Sequence, residues 1–246
     1  MSTDGPPRIG LVVEAPGDAR MARMLVDRVL LHARDWLDPD QLDLYRSYSG
    51  VDLGTDHCQW KKIPELCRKH RVRAHGHFDG KPGAHDALAA RKILQLFSRL
   101  DIGPAAVVFL RDSDNDPDRR VGLEQARIDC TAPGIDPQHI AIGLAHPEGE
   151  AWSIAGFSPV SSEEREALAT QRKRLGYDPP KTPERLHGNA KHDAKPVLKA
   201  LTGGDSERIE RCLRETDLDT LRQNGQSCGL AAFLDEIETR IVPAIA

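Results

Sequence analysis

Along the N-terminal part of the chain, short unbroken apolar runs alternate with segments whose apolar side chains recur every three or four residues. The runs Ile9–Val13, Ala105–Leu110 and Ile140–Ala145 read as short buried strands. Between them, Asp18–Ala33 places Met21, Met24, Leu25 and Val29 at helical spacing, with Asp18 where an N-cap belongs. Further helices are predicted over Trp60–His70, His85–Leu100 and Arg119–Ala132, and a strand over Val72–Phe78. Strands alternating with helices predict βαβ units and a Rossmann-like α/β fold with a mostly parallel sheet. After Phe157 the pattern changes. Residues 158–192 are rich in Pro, Ser and charge, with a helix over Ser161–Leu175 and a loop at Pro179, Pro180 and Pro183. Helical stretches then follow at Ala194–Leu201, Ser206–Glu215 and Gly229–Ile241. The predicted organisation is an α/β domain over 1–157, with an insertion near 34–70, and a helical C-terminal extension over 158–246.

Composition narrows the picture in three ways. Aromatic residues make up only 4% of the 246 residues, so Leu, Val, Ile and Ala must fill the core. The formal net charge of −4 gives no general attraction for a polyanion, so any contact with nucleic acid needs a local basic patch or a metal ion. Cys58, Cys67, Cys130, Cys212 and Cys228 are scattered and odd in number, which argues against a disulfide framework. Met1–Pro7 is a short polar lead, and no apolar run approaches the roughly 18 residues a membrane helix needs. A cytoplasmic location without a membrane partner is expected.

Each of the three clear strands runs into acids. Ile9–Val13 is followed by Glu14, and Ala105–Leu110 by Arg111-Asp112-Ser113-Asp114-Asn115-Asp116. Ile140–Ala145 is followed by His146-Pro147-Glu148-Gly149-Glu150. Open α/β sheets bind ligands outside the carboxyl ends of their strands, so Glu14, Asp112, Asp114 and one of Glu148 or Glu150 are expected to converge there. An extended backbone would point Asp112 and Asp114 to the same side. Clustered carboxylates repel unless a cation is present, and hard oxygen donors suit Mg²⁺ or Mn²⁺. Acids after strands also arise simply because loops are polar. A calcium loop opening at Asp112, Asp114 and Asp116 fails, because Pro117 stands at the required Gly and Leu123 at the required Glu.

The order of Glu after a first strand, Asp-x-Asp after a later one, then His-Pro-x-x-Glu-Ala-Trp resembles the Toprim (topoisomerase–primase) domain. It is most similar to the variant in nucleases of the overcoming-lysogenization-defect type. Carrying the resemblance are Val13-Glu14-Ala15-Pro16-Gly17-Asp18, Gly80-Lys81, Glu150-Ala151-Trp152 and His192-Asp193-Ala194-Lys195-Pro196. It implies metal ligation by Glu14, Asp112 and Asp114 with Glu150 in support, Glu148 as second choice and Asp116 as a further candidate. It also implies a charge-stabilising Lys195 and a phosphate contact at Lys81. The activity it implies is Mg²⁺- or Mn²⁺-dependent cleavage or nicking of nucleic acid, DNA first, in antiviral defence beside an ATPase partner. A homo-oligomer is left open. The chain departs from the pattern at Ala15, where many Toprim domains have Gly, and in the long span from Glu14 to Asp112. A non-catalytic module that docks on such a partner is the alternative, and an Asp-x-Asp glycosyltransferase ranks last because it leaves Glu14 and Glu150 unexplained.

Other features carry competing readings. Lys81 lies in Gly-Lys-Pro-Gly ahead of a helix, either at a phosphate or as an exposed loop lysine; the P-loop pattern is missing. Lys191, like Lys195, reads either as a phosphate contact or as a solvated helix-start residue. His57, Cys58, Cys67, His70, His75, His77 and His85 crowd one region, but no tight Cys-x-x-Cys pair favours zinc over buried cysteines in a polar segment. Arg71, Arg73, Arg119, Arg120, Arg172, Lys173 and Arg174 are candidates for a phosphate-binding patch, against the ordinary reading of solvated charge. Trp36, Trp60 and Trp152 read as core or cleft-wall residues.

Overall fold

The computed structural model describes residues 5–73, 81–188 and 191–245. In chain order the N-terminal elements are β1 (Arg8–Val13), α1 (Pro16–Ala33), α2 (Leu42–Tyr45), β2 (Ser47–Ser49), β3 (Cys58–Gln59), α3 (Ile63–Lys69), α4 (Ala84–Phe97), β4 (Ala106–Asp112), α5 (Asp118–Ile128) and β5 (Ile140–Ala145). There follow α6 (Gly149–Ala155), α7 (Ser162–Leu175), α8 (Ala194–Thr202), α9 (Ser206–Glu215), α10 (Leu218–Asn224), α11 (Leu230–Glu236), a π turn at Ile237–Ile241 and α12 (Val242–Ile245). Two compact units result. Unit 1 holds residues 1–110, 116–142 and 236–246, and unit 2 holds 111–115 and 143–235.

Unit 1 is an α/β layer structure. The strand order is β2-β1-β4-β5, with β3 also paired to β1, and the β1 pairings with β2, β3 and β4 are all parallel. Val12, Val107, Phe109, Ile140 and Ile142 share one core cluster with Ile93, Leu94 and Phe97 of α4 and Leu123 and Ala126 of α5. Their strand neighbours Leu11, Val13, Val108 and Ala141 are also fully buried. Because alternate strand residues face opposite ways, both sheet faces are covered, as a parallel sheet requires. The expected α/β fold with a mostly parallel sheet is what the chain forms, with a helical C-terminal region.

Several expectations are revised. The segment read as an insertion, 34–70, supplies β2 and β3, two strands too short to show an alternation. Helix α1 starts earlier than expected. Its N-cap is Ala15 with Pro16 at the first position, and Asp18 sits inside the first turn, its carboxylate accepting from the Ala15 N–H at 2.8 Å. Asp18 therefore caps from the third position and not as the N-cap itself. The compact units do not divide at residue 157. The return segment 236–245 packs on α1 in unit 1, whereas α6 packs on α8 and α9 in unit 2. The strand expected over Val72–Phe78 falls largely outside the described residues, as do His75 and His77.

Unit 2 is a helical assembly in which α7, α8, α9 and α10 each carry a side-chain N-cap. Ser161 accepts from the Glu164 N–H at the start of α7, and Gly176 closes that helix in the left-handed region at φ 82°. Asp193, Asp205 and Asp217 cap α8, α9 and α10 in the same way. Ile154, Phe157, Leu168, Leu175, Leu186, Val197, Leu198 and Leu201 form its core. A second centre is Trp152, fully buried, stacked on Phe233 and donating its indole N–H to the Cys228 carbonyl at 2.8 Å. Among the described residues no helix is long and apolar enough to cross a membrane.

Candidate functional site

The last two residues of β4, Arg111 and Asp112, belong to unit 2, as do Gly143–Ala145 of β5. Beyond them both chains turn together. The Ser113 N–H donates to the Ala145 carbonyl at 2.7 Å, and the Asp114 N–H to the Pro147 carbonyl at 3.2 Å. Ser113 Oγ lies 2.9 Å from His146 Nδ1, and the His146–Pro147 peptide is cis. The strand ends at Asp112, and Asp114 and Asn115 take positive φ values of 47° and 58°. Asp and Asn tolerate that region better than other residues carrying a Cβ. The same-side argument for Asp112 and Asp114 therefore fails, since the extended backbone stops one residue too early.

Helix α6 begins at this turn. Its Gly149 N–H donates to Asp112 Oδ1 at 2.8 Å, fixing that carboxylate at the helix N-terminus. Glu148 precedes the helix and Glu150 lies in its first turn. Opposite them, Asp193 caps α8 through the Lys195 N–H at 2.9 Å and so sets the start of the lysine side chain. The Lys195 ammonium donates to Glu148 Oε2 at 2.6 Å and lies 3.9 Å from Glu150 Oε1. The hydrogen bond to Glu148, with the charges of Glu150 and Asp112, raises the lysine pKa above its ordinary value despite partial burial. A cleft of about 210 Å³ opens here. Asp114 and Asn115 line it on one side, Pro147 and Glu148 on a second, and Gly188, Asp193 and Lys195 on a third.

The other expected site residues lie in unit 1. Glu14 follows β1, with a carboxylate oxygen 3.8 Å from Arg119 of α5, whose guanidinium is also 3.8 Å from Asp86 of α4. Asp116 accepts from the Asp118 N–H at 3.0 Å and so caps the start of α5. Lys81 is exposed ahead of α4. The glycine of its loop has a packing role: Gly83 has φ 71°, and a Cβ there would fall 2.3 Å from the Asp118 carbonyl and 2.4 Å from the Gly122 nitrogen. Gly83 thus serves the close approach of α4 to α5.

The His and Cys region resolves into separate contacts. Cys58 is buried, accepts from the Val51 N–H at 3.1 Å, and burial pushes its thiol up to about 11. Cys67 belongs to the unit 1 core. His57 pairs with Asp56 and His70 with Asp52. All five cysteines are free thiols. Of the expected basic patch, Arg119 engages Glu14 and Asp86, Arg120 engages Glu124, and Arg172 engages Asp178. Trp60 and Trp152 are core residues, but Trp36 is 60% exposed and packs edge-on to Tyr45. A larger cleft of about 550 Å³ lies in unit 1 beside β2. Its Asp52 is held by Lys69 and His70, and its Asp56 by Arg23 and His57.

Among the described residues, no group of three or more His, Cys, Asp or Glu side chains is arranged to hold a metal ion. The chemistry of the donors still suits one. Glu148, Glu150 and Asp112 are hard oxygen donors, and an ammonium already sits in the position their field favours for a cation. The site features least visible in sequence were the Ser113–His146 contact and the involvement of Gly188, Asp193 and Asn115. The His-Pro-x-x-Glu motif, the Asp112–Asp116 run and the His192–Pro196 segment marked the neighbourhood but not these contacts. Compared with protein-family models, with curated proteins and with solved structures, the chain finds no match in any of the three.

Proposed function

We propose that the chain is a Mg²⁺- or Mn²⁺-dependent Toprim-type phosphodiesterase that cleaves or nicks nucleic acid. The observation that carries this reading is the Lys195 ammonium held against Glu148 and Glu150 at the edge of the Asp114–Lys195 cleft. Asp112, Asp114, Glu148 and Glu150, all in unit 2, are the residues that would hold the ion. Bound there, it would polarise a phosphate and favour in-line attack by water. The chain's own groups do the rest. The Gly149 N–H keeps the Asp112 carboxylate in one orientation. Lys195, on a side chain 62% exposed, can leave Glu148 for a phosphate oxygen and neutralise the charge that builds there. An ATPase partner and a role in antiviral defence, which the resemblance implies, belong to the same proposal.

The test is incubation of the purified chain with supercoiled DNA, linear DNA and RNA under Mg²⁺ or Mn²⁺, with a chelator control. Metal-dependent cleavage that disappears in Asp112→Asn supports the reading. Cleavage retained in the chelator, or in the variant, overturns it. A second reading, a non-catalytic docking module, is favoured by one observation: the described carboxylates are not gathered into a three-donor group, and a lysine already neutralises them.

A further inference from the structure

Beside the acidic cleft, unit 2 carries a column of flat side chains, anchored where Tyr177 packs against the unit 2 core. The Arg185 guanidinium lies 4.0 Å from the centre of the Tyr177 ring. That ring stacks on His192 at 5.8 Å and 14°, and His192 stacks on His187 at 5.9 Å and 13°. Tyr177 Oη bonds to His192 Nδ1 at 3.1 Å, and His187 bridges to Asp193, so the order of the stack is fixed from both sides. The two ends, Arg185 and His187, are exposed, whereas Tyr177 and His192 are half-buried between them. Arg174 reaches the same segment through the Lys191 carbonyl at 2.9 Å, and the Lys191 side chain is exposed.

We propose that the Arg185–Tyr177–His192–His187 column is a binding platform for single-stranded nucleic acid, on which unpaired bases stack and from which the strand leads into the acidic cleft. This deepens the phosphodiesterase reading by naming its substrate class and rests on it for the destination of the strand.

Three features favour this occupant. Stacked, nearly parallel rings with exposed ends offer π faces to further flat groups, and every base has such a face. Burial, together with the neighbouring charges of Lys191, His187, Arg185 and Arg174, lowers the His192 pKa, which favours the neutral ring as a surface for stacking. An acidic peptide would need guanidinium forks instead. The local charge suits a polyanion: Arg174, Arg185 and Lys191 supply cations, while Asp178 is held by Arg172 and Asp193 caps α8, with Glu184 the remaining nearby carboxylate. The column and the cleft also meet at one antiparallel bridge, since Gly188 and Asp193, which flank the cleft, are next to His187 and His192 in the chain. Duplex bases have their faces covered, so unpaired strands, ends or flaps are the form that fits.

The test is fluorescence anisotropy of the full chain with short labelled single-stranded DNA and RNA, a duplex of the same sequence, an abasic strand of equal charge and an acidic phosphopeptide. All are measured in chelator, so that failure of cleavage leaves the binding result intact. The single strands bind best, and the preferred sugar follows from comparing DNA with RNA. His187→Ala and Arg185→Ala each weaken single-strand binding about tenfold; His187→Ala leaves abasic binding almost unchanged, whereas Arg185→Ala, which also removes a cation, weakens abasic binding by a smaller factor. His187→Phe, which keeps a ring, restores the affinity and serves as the control should the alanine variant fold poorly. The proposal is overturned if abasic strand, duplex or phosphopeptide binds as well as the single strand. It is equally overturned if Arg185→Ala and a folded His187 variant without a ring bind like the wild type.

Discussion

Two sets of carboxylates, one in each unit, are neutralised by different devices. In unit 1, Asp27, Glu14 and Asp86 face arginines whose side chains are almost buried. Arg46 forks onto Asp27, also reaches Asp43, and packs over Tyr48, with its side chain 10% exposed. Arg119, 12% exposed, stands between Glu14 and Asp86. In unit 2 the acids Glu148 and Glu150 face a lysine whose side chain is 62% exposed. A guanidinium fixed by several partners in low dielectric is costly to remove, whereas a solvated ammonium on a flexible stem can exchange its partner for a phosphate or yield its place to a metal ion. Asp27, Glu14 and Asp86 therefore hold structure, as Glu164 does in unit 2 under Arg208, whereas Glu148 and Glu150 are kept available.

The largest effect expected probes the frames behind these two acid sets. Trp60 donates its indole N–H to the Leu110 carbonyl at 2.9 Å in unit 1, and Trp152 to the Cys228 carbonyl at 2.8 Å in unit 2. Both are buried. Replacing either by Ala should cost about 3–5 kcal/mol and lower the melting temperature by about 10 °C or more. If Trp152→Ala melts like the wild type, unit 2 is not a packed scaffold and its site geometry loses its support.

Next in size is the chemistry. Asp112→Asn keeps an acceptor for the Gly149 N–H and removes a charge. Its melting temperature should stay close to the wild-type value, while the metal-dependent cleavage rate falls about 10²–10³-fold, the scale of losing one preorganised electrostatic group. Time courses on supercoiled DNA with matched melting curves check this. A variant that is destabilised yet fully active would make Asp112 a cap and nothing more.

What the sequence disclosed about each unit differs for a physical reason. The strands Ile9–Val13, Ala106–Leu110 and Ile140–Ala145 are buried on both faces, so each is an unbroken apolar run and easily read. β2 and β3 have three and two residues and leave no period to detect. In unit 2, α8 and α9 follow Asp caps and were legible, but α6 is buried along nearly all its length and shows no polar face to reveal a helix. The candidate site was legible only as acids after strands. Nothing local indicates that Lys195 reaches Glu148 across 47 positions, or that His187 and His192 stack, because these pairings depend on how α8 and the segment before it pack. The turn at Asp114 was missed because extended geometry was assumed past the end of β4.

The arginine–lysine contrast can be tested directly. Arg119→Met should cost about 3 kcal/mol, because it withdraws a buried cation from Glu14 and Asp86. Lys195→Met should cost less than about 1 kcal/mol, as expected for an exposed pair. The same lysine variant should give a larger Mn²⁺-induced rise in melting temperature than the wild type, since the competing ammonium is gone. Thermal unfolding of the three proteins with and without Mn²⁺ measures all of this. Equal costs for the two substitutions, or a smaller metal response in Lys195→Met, would erase the distinction between the two sets.

The smallest effect expected is in the pH dependence of stability. Lys195 has its folded-state pKa raised, chiefly by the Glu148 hydrogen bond. A lysine with a raised pKa binds its proton more tightly in the folded chain than in the unfolded one. Its contribution is therefore fully present below the unfolded value near about 10.4 and is lost as pH rises through the folded value. Because the ammonium is largely solvated, the contribution should not exceed about 0.5 kcal/mol. The wild type and Lys195→Met should thus differ slightly at neutral pH and converge in stability as pH rises through the folded value. Arg119→Met should show no such convergence, since guanidinium does not titrate in that range. Paired melting curves from neutral to alkaline pH read the difference. A gap between wild type and Lys195→Met that widens with rising pH would show that the lysine acts through the packing of its stem, and the exchangeable cation of unit 2 would have to be sought elsewhere.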